Sequence, residues 1–324
     1  MIIADNLLCE RPLVSIVVLT YNQENYISQT IDSILSQKCD FDFELIIGED
    51  CGTDQTRSIC IQYQKDNPAR IKLLLHDFNG GLIRNFSELM SLCRGKYIAH
   101  CAGDDYWCDD LKLKKQIDFF NENPDYGFVR TGFYCLYPET NILKIGTTHS
   151  DAAGEVFQIA KYGPVAASAT ICFKKELLQY VDFDEFINRR FSIEDYPMQA
   201  IMSKHTKFGY IPDITAVFRQ TKNSGSRPSN YRSQMVYFKG YIAAKLYLSE
   251  LFPGEIECDE RIARNFLLHK ELKYAFENLN YKQARQIIRK IENPTEKEKK
   301  LLRFTNNVVV FYLGSFYRKI MKLL

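Results

Sequence analysis

Four short apolar runs, separated by segments of helical periodicity, restrict this chain to very few architectures. Residues 14–19 (VSIVVL), 43–47 (FELII), 71–75 (IKLLL) and 97–101 (YIAHC) each read as a short buried strand. Between them, residues 26–36 place Ile27, Ile31, Ile34 and Leu35 at helical spacing. Residues 53–65 read as a second helix, which Thr53 or Asp54 is placed to cap, and residues 84–93 as a third. Strands alternating with helices imply βαβ units and a mostly parallel sheet flanked by helices, an α/β fold. Open sheets of this kind bind ligands beyond the carboxyl ends of their strands. Three polar clusters fall there: Thr20-Tyr21-Asn22, Glu49-Asp50 and Asp104-Asp105. The topology is expected to bring them together at one edge.

Beyond residue 126 the alternation stops. Residues 126–137 and 165–173 read as strands of mixed partnership, 193–204 as a helix, and 208–211 and 215–219 as two short strands. The cluster Asn223-Ser224-Gly225-Ser226-Arg227-Pro228 is a loop signal, so a first domain is expected over residues 1–226 and a helical extension over 227–324. Within the extension, helices are expected at 237–251, 260–278 and 282–291, and Asn293-Pro294-Thr295 breaks the run. Residues 275–291 resemble a helical hairpin, although no fixed period marks a repeat.

Composition narrows the field. The net charge of +2 over 324 residues shows no basic excess of the kind a nucleic-acid-binding body carries, so no nucleic-acid partner is expected. Ten cysteines are scattered without a CxxC pair, which favours reduced thiols in a cytoplasmic protein. The segment MIIADNLLCERP has neither a basic leader nor a long apolar stretch, so no secretory signal is expected. No window reaches the roughly 18 apolar residues needed to span a bilayer, which makes a soluble or peripherally attached chain the expectation.

Three acidic sites carry the chemistry. Adjacent carboxylates such as Asp104-Asp105 repel one another and lose solvation, so a cation or a ligand is the natural compensation. Their hard oxygens suit Mg²⁺ or Mn²⁺. The alternative is a solvated turn that caps the helix beginning near Leu111, a role for which Asp109-Asp110 is the better placed pair. Asp50 either accepts a hydrogen bond from a base or a ribose, or simply opens a turn. Glu194-Asp195 either caps a helix or supplies a general base facing the cleft.

Taken jointly, VSIVVLTYNQENYISQTIDSILSQ, FELIIGEDCGTDQT, NGGLIRNF, GKYIAHCAGDDYWCDDLKLKKQIDFF and IEDYPMQ resemble the inverting family 2 glycosyltransferases over roughly residues 12–225. The resemblance is to the bacterial surface-polysaccharide type. It implies the GT-A (nucleotide-diphospho-sugar transferase) fold, with a Rossmann-like sheet and here a C-terminal helical extension. It also implies a nucleotide-sugar donor, a UDP-sugar favoured, and a saccharide or lipid-linked saccharide as acceptor. Carried over position by position, Thr20, Tyr21 and Asn22, with Glu24 nearby, match the stretch that holds base and ribose. Asp50 matches the acid on the base, and Arg84 matches a residue touching the nucleotide. Asp104 and Asp105 match the site that binds the diphosphate through Mn²⁺ or Mg²⁺, and Asp195 matches the catalytic base, with Glu194 its neighbour. The family commonly has an acid two positions before Asp104, where this chain has Ala102 and keeps the adjacent pair.

Rival classes lack their motifs. The turn TYNQENY after the first strand has no glycine, which argues against a dinucleotide oxidoreductase, and no GxxxxGK[ST] is present for a P-loop NTPase. A catalytically inactive nucleotide-binding scaffold on the same fold is the alternative of a different class. After Glu298 the chain has no acidic residue, whereas Lys299, Lys300, Arg303, Arg318, Lys319 and Lys322 flank Val308-Val309-Val310-Phe311-Tyr312-Leu313. Such a tail either lies in a membrane interface, on the inner face of the plasma membrane, or packs on the catalytic domain.

Overall fold

A computed structural model describes residues 1–4, 10–146, 153–221 and 230–292, together with positions 294, 299, 307, 308 and 312. The chain divides into two compact units, residues 1–189 with 193–221 and residues 190–192 with 222–324.

The first unit is built on one ten-stranded sheet in the order β1-β4-β3-β2-β5-β9-β7-β10-β6, with β8 paired to β7. Its parallel core is β4 (Ile71–Leu75), β3 (Phe43–Glu49), β2 (Val14–Thr20) and β5 (Tyr97–Ala102). Every residue of β2 and β3 is buried, as a strand covered on both faces requires, and this is why their sequences run apolar without alternation. The polar interruptions pair with each other: Ser15 Oγ donates to Glu44 Oε1 at 2.7 Å, and the Arg94 guanidinium meets Glu44 Oε2 at 2.7 Å. The sheet is flanked by α1 (Ile27–Leu35), α2 (Thr56–Asp66), α3 (Leu82–Leu92) and α4 (Lys112–Glu122). On α1, Ile27, Thr30, Ile31 and Ile34 form the buried face, the 3.6-residue period read from the sequence. Strands β3 and β4 lie to one side of β2 and β5 to the other, so the strand order reverses at the carboxyl end of β2.

The second half of this unit departs from expectation in several places. The expected strand at 165–173 shrinks to β9 (Cys172–Lys174), preceded by a turn of 3₁₀ helix at Ser168–Thr170. Side chains occupy the backbone groups of 165–170 that a ladder would have used. The two strands expected at 208–211 and 215–219 are one, β10 (Lys207–Arg219), paired in parallel with β7 (Tyr126–Tyr137). Its register shifts between Ile211 and Ile214, where Pro212 has no N–H to give the ladder. The edge strand β1 (Ile2–Ile3), the two-residue β6 (Tyr106–Trp107), the β7–β8 hairpin with β8 at Ile142–Ile145, and the short helices α5 (Phe157–Ala160) and α6 (Phe183–Asn188) were not expected. The expected helix at 193–204 is α7 (Asp195–Met202).

The second unit is helical: α8 (Tyr231–Leu251), α9 (Glu260–Glu277) and α10 (Tyr281–Ile288). Each starts on a side-chain cap: Asn230 accepts from Ser233 N, Asp259 from Ile262 N and Asn280 from Gln283 N. Helices α9 and α10 form a hairpin in which Leu272, Ala275 and Phe276 pack against Ala284, Ile287, Ile288 and Ile291. The loop cluster 223–228 and most of the tail 299–324 lie outside the described residues. Among the described residues no helix is long and apolar enough to cross a membrane. Nine described cysteines lie outside any disulfide, and burial pushes the thiols of Cys60, Cys93 and Cys172 up to about 12, the behaviour of small hydrophobes.

Candidate active site

The loops that leave β2 and β3 are stitched together at the reversal point. Asn22 Oδ1 accepts from Thr53 N at 2.7 Å, and Glu24 Oε2 accepts from Gln55 N at 2.8 Å. In the opposite direction Glu24 N donates to Asp54 Oδ2 at 3.1 Å and Gln23 N to Thr56 Oγ1 at 2.7 Å. Asn22 and Cys51 hold φ of +53° and +56°, a left-handed conformation that turns each chain sharply after its strand. Asn22 and Glu24 thus spend side-chain oxygens on shaping the loop, while Tyr21 stands 44% exposed above it. Thr20 is buried, and its Oγ1 has no hydrogen-bond partner among the described residues.

Asp50 clamps the next loop. Its Oδ1 accepts from Gly80 N at 2.8 Å and its Oδ2 from Gly81 N at 2.9 Å, so both oxygens hold the segment that opens α3. Burial raises its carboxyl above the usual range, and the two amide bonds act in the opposite direction. Arg84 is exposed one turn further on, and a Cβ at Gly80 would come 2.8 Å from its Cδ. Asp50→Ala is expected to release this loop. Amide hydrogen exchange at Gly80 and Gly81 should then accelerate by about ten-fold or more, since each bond to a charged acceptor contributes about 1.5–3 kcal/mol.

The Asp104-Asp105 turn is held from several sides. Gly103 packs so closely that a Cβ there would lie 2.3 Å from Gln23 Oε1 and 2.8 Å from Thr20 Cβ, which explains the residue type before the acid pair. Thr30 Oγ1 donates to the Asp105 carbonyl at 2.6 Å. Asp105 is 1% exposed, and its Oδ1 accepts from the backbone N–H of Arg219 at 2.8 Å. The Arg219 guanidinium bonds the Asp104 carbonyl and Gln29 Oε1, with its carbon 5.0 Å from the Tyr26 ring centre and 4.6 Å from that of Tyr106. Asp104 is less enclosed, and its Oδ2 accepts from Thr221 Oγ1 at 3.3 Å. Burial raises both carboxyls, Asp105 much further because the Asp104 charge adds to its own desolvation. Neither caps α4, whose N-terminus carries no side-chain cap bond; Asp109 Oδ1 accepts from Leu111 N at 2.9 Å in the turn just before it. Arg219 and Thr221 escaped the reading of the sequence, because the antiparallel pairing of β10 with the two-residue β6, Val217 opposite Tyr106, brings them beside residues more than a hundred positions away.

This donor set fits a hard divalent cation. A buried acid pair with one guanidinium beside it keeps an excess of negative charge, and Mg²⁺ or Mn²⁺ sites of nucleotide enzymes take one or two carboxylates plus substrate phosphates. Among the described residues no third acid, histidine or cysteine joins the pair. The two acids differ in burial: Asp105 is enclosed and bonded by a backbone N–H, whereas Asp104 is half-buried and bonded by the Thr221 hydroxyl.

Glu194 and Asp195 open α7 without capping it. Glu194 makes no side-chain cap bond, and Asp195 Oδ1 accepts from the adjacent Tyr196 N at 2.7 Å. Burial raises both carboxyls, Glu194 further, since the neighbouring Asp195 charge adds to its desolvation. The helix is fixed by Gln199, whose Oε1 accepts from Val165 N at 2.7 Å and Ala166 N at 3.0 Å while its Nε2 donates to the Ala166 carbonyl. Three residues later the same strap is held from the acid-pair side. Trp107 Nε1 donates to the Ala169 carbonyl at 3.0 Å and Gln116 Nε2 to that of Thr170 at 2.9 Å. Segment 165–170 is thus tied to α7 through Gln199 and to β6 and α4 through Trp107 and Gln116. Gln199→Leu, which strands two buried N–H groups, is expected to cost about 2–5 kcal/mol in urea unfolding.

The α/β sheet, its strand order reversing beside a buried acid pair, is of the GT-A fold class. The solved structures agree in fold. Staphylococcus aureus TarS 1–349 in complex with UDP-GlcNAc superposes with a TM-score of 0.55 at 16% identity, covering 94% of this chain and 91% of that one. The mannosyltransferase PcManGT from Pyrobaculum calidifontis, in complex with GDP-Man and Mn²⁺, gives 0.53 at 14% identity, over 95% and 88%. In sequence, a Bacillus subtilis protein named as a candidate teichuronic acid biosynthesis glycosyltransferase, TuaG, is 37% identical over 126 residues, 39% of this chain and 48% of its own. The chain spans 38% to 48% of the length of such curated relatives. The model of glycosyl transferase family 2 matches residues 15–195, more than half of the sequence, and the chain belongs to that family.

Proposed function

We propose that this chain is a metal-dependent, inverting glycosyltransferase. It would move a sugar from a nucleotide-diphospho-sugar, a UDP-sugar favoured, to an acceptor hydroxyl in cell-surface polysaccharide or glycolipid assembly. The observation that carries the reading is the Asp104-Asp105 turn, buried at the strand reversal and braced by Thr30, Gly103 and Arg219. TuaG supports the polysaccharide setting by its name, and PcManGT and TarS support the donor class by the ligands in their titles.

In this reading Asp104 holds Mn²⁺ or Mg²⁺ directly, and Asp105, bonded to Arg219 N, fixes the turn. Bound there, the ion would neutralise charge on the departing nucleoside diphosphate. The loops at Thr20, Tyr21, Asn22 and Glu24, the Asp50 clamp and Arg84 frame the nucleotide. Asp195 accepts the proton of the acceptor hydroxyl as that oxygen bonds the anomeric carbon. The carbon–oxygen bond to the diphosphate breaks on the opposite face and its electron pair leaves with the nucleotide, so one displacement inverts the centre. Glu194, the more strongly raised of the two acids, stays protonated and leaves Asp195 ionised for this role.

Calorimetric titration of the chain with UDP, with and without Mn²⁺, tests the donor site. Binding strengthened by the metal supports the reading. Failure with UDP, GDP and dTDP alike would leave an inactive scaffold on the same fold.

A further inference from the structure

The charge of this chain is unevenly distributed. Residues 278–324 carry eleven Lys and Arg against three Asp and Glu, while residues 1–277 carry 31 against 37, so a body of −6 precedes a segment of +8. Helix α10 displays the start of that segment. Its inner side, Ala284, Ile287 and Ile288, is buried against α9. Its outer side and the turn that follows present Lys282, Arg285, Arg289 and Lys290, all exposed, lining one shallow depression with Tyr281 and Gln286.

None of these four cations forms an ion pair among the described residues, and no acid occurs from 278 to 291 to provide one. The flanking acids serve elsewhere: Glu292 meets Arg264 at 3.1 Å, and Glu277 lies 4.0 Å from Lys273. Solvated helix faces usually interleave acids at i±4 with their bases, which lowers self-repulsion. This face does not, and among the described residues its cations stay uncompensated.

We propose that the outer face of α10 is a docking surface for an anionic lipid bilayer. A flat bilayer meets one face of the chain only, whereas a long polyanion that wrapped the protein would meet the net-negative body. The sequence that follows supplies the second element that stable membrane attachment needs, because VVVFYLGSFY lies within the same basic segment. The proposal is independent of the glycosyltransferase reading.

The test is flotation of the full chain with vesicles of phosphatidylcholine containing one third phosphatidylglycerol, and with phosphatidylcholine alone. Wild type is expected to float with the anionic vesicles only and to be released by salt as the Debye length contracts. Lys282→Gln, Arg285→Gln, Arg289→Gln and Lys290→Gln combined should lower the partition coefficient by about several hundred-fold, at roughly five-fold per cation near the surface. Thermal melting shows that the variant folds, whether or not the chain binds a nucleotide. Wild type that fails to float would overturn the proposal, as would a folded variant that floats as well as wild type. Duplex DNA that strips wild type from the vesicles at equal phosphate concentration would also overturn it, by making the face a general polyanion surface.

Discussion

Asp195→Asn is expected to lower the rate of sugar transfer by about 10²- to 10⁴-fold, the contribution of one positioned general base, while leaving donor affinity within about two-fold. The substitution keeps the shape of the side chain and the bond from Tyr196 N, and removes only the ability to take a proton. The wild-type pH profile carries a second signature. The ionised carboxylate is the active form, and burial raises its pKa, so kcat/KM should fall on acidification through a limb well above the ordinary carboxylate range near about 4. Glu194→Gln should leave that limb in place, because Glu194 is the more strongly raised partner and is already protonated where Asp195 ionises. A profile with no acid limb above pH ~5, or full turnover by the Asn variant, would remove Asp195 from the role of base.

Asp104→Ala should abolish the metal-dependent part of nucleotide binding. The titration with UDP is expected to lose about 10²-fold in affinity with Mn²⁺ present and to become the same with and without the ion. Asp105→Asn acts differently, because its Oδ1 serves as acceptor for Arg219 N and the amide oxygen can keep that bond. Metal-dependent binding should therefore weaken less in that variant. Asp104→Ala also removes a like charge beside the buried Asp105, so in the absence of nucleotide its melting temperature should equal or exceed that of wild type. A loss of UDP affinity that comes with a clear drop in melting temperature would mean that the substitution broke the turn rather than the metal site.

The fold was legible in its first half for a physical reason. Runs such as VSIVVL and FELII are buried on both faces, and such burial writes itself into sequence as unbroken apolarity. The carboxyl ends of those runs also determine where Thr20, Asp50 and Asp104 lie, because a parallel sheet aligns its strand ends. The later strands were read less well. Residues 165–170 look like a strand by hydrophobicity, yet Gln199, Trp107 and Gln116 take their backbone groups. Nothing local to 165–170 records the identity of partners 30 to 60 positions away.

The same division holds at the site. Sequence alone singled out the candidate carboxylates, because adjacent acids at a strand end or a helix start are costly unless something compensates them. Tertiary structure alone decided what each does next. It gave Asp50 to the amides of Gly80 and Gly81, Asp105 to the backbone of Arg219, and left Asp104 only half-buried. It also brought Arg219 and Thr221 to the acid pair from the far end of β10. Hydrogen bonds act over about 3 Å, and distance along the chain does not limit them, so their partners are a property of the packed fold.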